Sequence, residues 1–89
     1  MDLTQAREKI EDIDKQMAKL FEMRMECSKE IALYKKENNI PIYDATREKT
    51  LIEKNRSYIK NDMFKEYYLE FFRGLLDISK KYQEKLKNN

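Results

Sequence analysis

The sequence has no histidine and no tryptophan, and it has one cysteine, one glycine and one proline among 89 residues. Without histidine and with a single cysteine, a zinc site is implausible, because structural and catalytic zinc both draw their ligands mainly from those two residue types. Cys27 has no intrachain disulfide partner. One glycine leaves no Gly-rich phosphate loop and no flexible linker. No apolar run is long enough to cross a bilayer, and Met1-Asp2-Leu3-Thr4-Gln5 lacks a basic segment followed by an apolar one, so the expected setting is cytoplasmic. Charge of one sign is also missing. The 19 basic residues are interleaved with 17 acidic ones for a formal net charge of +2, which argues against a nucleic-acid footprint.

What is present is helical periodicity. From Leu3 to Lys36 neither Gly nor Pro occurs, and apolar residues recur at Leu3, Ala6, Ile10, Ile13, Met17, Leu20, Cys27, Ile31 and Tyr34 in alternating steps of three and four. Asp2 or Thr4 can cap this helix, and Asn38, Asn39 and Pro41 stop it. A short second helix is predicted from near Asp44, a capping residue, to about Ile59. A third is predicted from Asp62 to about Lys85, burying Phe64, Tyr68, Phe71, Leu75, Ile78 and Tyr82, with Tyr67, Phe72 and Leu76 widening the stripe. Gly74 lies inside this third helix, where it costs about 1 kcal/mol relative to alanine unless another backbone approaches closely. The expected architecture is therefore all-α in one domain over residues 1–89, long, short, long. A helix of about thirty-four residues is roughly 50 Å long. The remaining residues cannot cover it, so self-association into an intertwined helical homodimer is expected.

The stripe of the first helix is interrupted at Arg24. A guanidinium on a packing face needs several hydrogen-bond acceptors, supplied by a neighbouring carboxylate such as Glu48 or Glu53, or by an anionic ligand. Arg24, Ser28, Ile31 and Lys35 are separated by four, three and four residues and share one helix face, with the two cations about 16 Å apart. That spacing suits a small anion lying along the face, but it also suits a lysine extending into solvent beside an ion-paired arginine. Asp44 reads as a cap, Arg47 and Glu48 as surface residues of the second helix, and Ser79 with Gln83 as an i, i+4 polar pair at the edge of the third helix's apolar stripe. Arg7 lies seventeen residues before Arg24, about 25 Å away and about 100° around the helix, so only a second, antiparallel chain could bring it to the same place.

Arg7, Arg24, Lys35, Asp44 and the Arg47-Glu48 pair, with Ile13-Asp14, Leu20 and Pro41 between them, resemble the all-helical class of chorismate mutases. Ser79 and Gln83 fit that family's third helix. The resemblance implies a Claisen rearrangement of chorismate to prephenate in aromatic amino acid biosynthesis, without cofactor, metal, nucleophile or obligatory proton transfer. It implies that Arg24 and a partner chain's Arg7 bind the two substrate carboxylates with help from Arg47. Lys35 would contact a carboxylate and the ether oxygen, and Gln83 would donate to that same oxygen. Glu48, with the backbone near Asp44, would hold the ring hydroxyl, Ser79 would touch a carboxylate, and Ile31, Leu51 and Leu76 would form apolar walls. Two other readings remain open from sequence: an isochorismate pyruvate-lyase with a similar cationic pocket, and a non-catalytic helical dimerisation module in which Arg24 and Lys35 only form salt bridges.

Overall fold

In a computed structural model that describes residues 2–89, the Gly- and Pro-free run forms one helix, α1, Leu3–Glu37. Asp2 starts it with a capping box: its carboxylate accepts from the Gln5 N–H at 2.8 Å, and the Gln5 side chain accepts from the Asp2 N–H at 3.2 Å. The far end closes through Asn39, whose φ of 53° is left-handed. The Ile40 N–H reaches back to the Lys35 carbonyl at 2.8 Å, and the Asn39 N–H to that of Lys36 at 3.4 Å. This paired pattern satisfies carbonyls the helix leaves open, and asparagine tolerates the conformation better than most residues.

Helix α2, Ala45–Tyr58, is capped by the Asp44 carboxylate on the Arg47 N–H, and α3, Asp62–Lys87, by the Asn61 side chain on the Met63 N–H. The chain is all-α, long, short, long, as the periodicity predicts. Helix α3 runs two residues beyond the predicted Lys85.

Both α1 and α2 pack on α3, and among the described residues their backbones do not approach each other closely. The result is a slab of 53 × 25 × 14 Å with a thin core: among the described residues, Ala32, Ile42, Leu69, Phe72 and Leu76 are the buried hydrophobic ones. A latch joins α2 to α3, where the Tyr68 hydroxyl donates to Asn55 Oδ1 at 2.8 Å while Asn55 Nδ2 donates to the Leu51 carbonyl.

The buried stripe of α3 differs from the predicted one. Phe72 and Leu76, expected only to widen the stripe, are at its buried centre with Leu69, Ser79 and Gln83; Tyr68, Leu75 and Tyr82 are half-buried, whereas Phe64, Tyr67, Phe71 and Ile78 stand in solvent, Phe71 at 57% exposure. The apolar sector of α3 is wider than a two-layer slab can cover, so one flank meets α1 and α2 and the other meets nothing in this chain. The N-terminal half of α1 is bare as well: Leu3, Ile10, Ile13, Met17 and Leu20 are all exposed, Leu20 at 61%. Gly74 is not explained by a close approach within the chain, since a Cβ there would meet nothing within 4 Å.

Candidate active site

Because α1 and α2 both rest on α3 with their backbones held apart, they leave a cleft floored by α3. Its volume is about 360 Å³, within the range of small-molecule sites. The sequence spacing explains what faces it. Arg24, Ile31 and Lys35 share one face of α1, and Ser28 lies on it between them. The cap at Asp44 fixes where α2 begins and so turns Arg47, Glu48 and Leu51 toward the same space. Leu76, Ser79 and Gln83, successive positions of the buried stripe of α3, form the floor. Of the eleven residues singled out from sequence, the fold gathers ten here. Arg7 is the exception, exposed on the bare half of α1.

Each polar group is held in a definite way. Arg24 Nη1 donates to Ser79 Oγ at 2.7 Å, and its guanidinium lies 5.7 Å from the centroid of the Phe72 ring. It pairs with neither Glu48 nor Glu53. A neutral hydroxyl and an aromatic face orient the guanidinium without cancelling its charge, and its remaining donors stay available. Lys35 does not extend into solvent: its ammonium donates to the Ile42 carbonyl at 2.9 Å, holding the α1–α2 connection and keeping two further N–H donors. Gln83 Nε2 donates to the Ser28 carbonyl at 3.0 Å. That carbonyl can only accept, so it fixes which way the amide faces and leaves the second N–H unspent. Ser79 and Gln83 are 6% and 8% exposed, and among the described residues no buried side-chain polar atom lacks a partner. The Asp44 carboxylate is engaged as the α2 cap.

Sequence reasoning missed Lys80, Ile42 and Cys27, which also line the cleft. Lys80 was detectable in principle, because it lies three residues before Gln83 and so shares its helix face. The Lys80 ammonium is 2.8 Å from Glu48 Oε1, 3.6 Å from Asp77 Oδ1, and 4.9 Å from the centroid of the Tyr43 ring. The hydrogen bond to Glu48 holds the Lys80 ammonium above the usual lysine range, outweighing the opposing effect of burial.

The electrostatic balance follows. Arg24, Lys35, Arg47 and Lys80 face two carboxylates, Asp44 and Glu48, leaving a formal surplus of two positive charges. Of the four cations only Lys80 is ion-paired, so Arg24, Lys35 and Arg47 have no carboxylate partner among the described residues. The described residues contain no cluster of His, Cys, Asp and Glu suited to a metal ion, and no helix long and apolar enough to cross a membrane. A cleft of this kind can bind a small dianion in a fixed shape and place hydrogen-bond donors along it.

Comparison with known proteins points the same way. The chain is 36% identical over 88 residues to a bifunctional chorismate mutase/prephenate dehydratase of Buchnera aphidicola subsp. Schizaphis graminum (strain Sg). The match covers 98% of this chain but 23% of the relative, so the chain spans about a quarter of that protein's length. No solved structure matches. Residues 6–84 match the family described as chorismate mutase type II, and with nearly all of its length and its three helices accounted for, the chain belongs to that family.

Proposed function

We propose that the chain is a chorismate mutase that rearranges chorismate to prephenate in the cleft between α1 and α2, as a step in aromatic amino acid biosynthesis. The observation that carries this reading is the convergence of three unpaired cations, Arg24, Lys35 and Arg47, on one small cleft with the donor amide of Gln83. Chorismate is a dianion, and its rearrangement is unimolecular. The protein must hold it in a compact pseudo-diaxial form and oppose the negative charge that grows on the ether oxygen as the C–O bond breaks. Conformer selection and preorganised donors supply both, without a nucleophile.

In this reading Arg24 grips one carboxylate, aided by Ser79, and Arg47 assists. Bidentate guanidinium geometry suits that task better than an ammonium. Lys35 and the free N–H of Gln83 are aimed at the ether oxygen, Lys35 also touching a carboxylate. Glu48 and the backbone beside Asp44 hold the ring hydroxyl. Ile31, Leu51 and Leu76 exclude water from the breaking bond, which strengthens each of these electrostatic contacts.

The second carboxylate is assigned to Arg7 of a second copy. Support comes from the exposed stripe on the first half of α1 and the uncovered flank of α3, which a slab 14 Å thick cannot bury by itself. An antiparallel partner laid along α1 would cover the stripe and carry Arg7 toward the neighbour's Arg24. A cytoplasmic setting fits the charged surface and the reduced state expected of Cys27.

The test is incubation of the protein with chorismate and, separately, with isochorismate, following prephenate in the first and salicylate plus pyruvate in the second. Prephenate supports the proposal, salicylate replaces it with the lyase reading, and no turnover of either substrate leaves a helical dimerisation module.

A further inference from the structure

The pairing of Lys80 with Glu48 has no counterpart at the other cations of the cleft, none of which is tied to a carboxylate among the described residues. Glu48 is an awkward group in a site for a dianion, because an unneutralised carboxylate repels the ligand and can swing among rotamers. Lys80 reaches from α3 to α2 and fixes one oxygen, Oε1, at 2.8 Å. The other oxygen is left to accept from a ligand. Lys80 is itself held from two further sides, by Asp77 one turn earlier on α3 and by the face of Tyr43 in the α1–α2 connection. Three elements therefore converge on one ammonium, and its pair with Glu48 is partly exposed, the two side chains being 30% and 22% exposed.

We propose that Lys80 is a positioning residue of the site: it neutralises Glu48 and holds its carboxylate in the orientation that accepts a hydrogen bond from the substrate's ring hydroxyl, thereby selecting substrates that carry a hydroxyl at that end of the cleft. This inference rests on the proposed chorismate mutase reading. Lys80 touches Glu48 rather than the reacting atoms, and the hydroxyl contact is made alike in the ground state and the transition state. Its loss should therefore appear in KM far more than in kcat.

The experiment compares the wild type, Lys80→Met, Lys80→Arg, Glu48→Gln and the Lys80→Met/Glu48→Gln double variant, with chorismate as substrate and circular dichroism to follow melting. Methionine keeps most of the stem volume without the charge. The expected result is a KM raised about tenfold in Lys80→Met with kcat within about twofold, substantial recovery in Lys80→Arg, and no further loss when Lys80→Met is added to Glu48→Gln. Melting temperatures should stay close, since a partly exposed ion pair contributes little to stability. An unchanged KM in Lys80→Met, or the same loss in the Glu48→Gln background, overturns the positioning role while leaving the enzyme assignment standing. A wild-type protein that does not turn over chorismate overturns both.

Discussion

Replacement of Lys35 by alanine separates catalysis from folding. Among the described residues the Lys35 ammonium makes one hydrogen bond, to the Ile42 carbonyl at 2.9 Å, and no ion pair. Removing it takes away a charge-assisted bond at a half-buried position, a loss of about 1.5 kcal/mol. For a domain of this size that lowers Tm by about 6–12 °C. The catalytic loss is expected to be larger. Without a preorganised cation at the ether oxygen, kcat should fall at least about a hundredfold, equivalent to about 2.7 kcal/mol of transition-state stabilisation. Chorismate consumption is measured well below either Tm, with circular dichroism showing that both proteins are folded, so that lost stability cannot pass for lost chemistry. A kcat within about threefold of wild type, in a folded variant, refutes the role given to Lys35 and with it the electrostatic account of the cleft.

Three further outcomes are expected. Gln83→Glu should make activity depend on pH. Burial raises the carboxyl's pKa, only its protonated form can donate, and activity should fall as pH rises through that value, whereas the wild type stays active around neutrality; superimposable profiles would show that Gln83 does not donate to the ether oxygen. Arg7→Ala and Arg24→Ala chains, each inactive alone, should recover about a quarter of wild-type activity per chain when mixed and allowed to exchange, because random pairing makes half the dimers mixed and each mixed dimer keeps one of two sites. No recovery in a mixture shown by sedimentation to contain mixed dimers would mean that Arg7 does not act across the interface. Gly74→Ala should raise the thermal midpoint, helix propensity favouring alanine by about 1 kcal/mol where the added methyl meets nothing in the chain; a lower midpoint would place a partner backbone against that turn.

The three helices and their ends were legible in the sequence because the signals are local. An unbroken 3.6-residue period, Asp44 at a cap, and Asn38, Asn39 and Pro41 at a stop act over a few residues and do not depend on what packs nearby. Grouping Arg24 with Lys35, and Ser79 with Gln83, was legible too, since helix geometry alone puts residues three or four apart on one face. The site roles attached to these residues came from the family resemblance rather than from spacing.

Tertiary packing decided the rest. The α3 sequence is apolar over so wide a sector that periodicity could not say which flank would be buried. The meeting with α1 and α2 chose Leu69, Phe72, Leu76, Ser79 and Gln83 and left Phe64, Phe71 and Ile78 exposed. Likewise no local rule distinguishes Glu48 from Ser79 as the neighbour of Arg24, or marks Lys80 as the neighbour of Glu48, because each pair joins residues more than twenty positions apart. The sequence by itself determined where helices form and which residues share a face of each. Only the tertiary structure decided which faces meet, because long-range contacts are selected by the whole packed arrangement rather than by any residue's immediate neighbours.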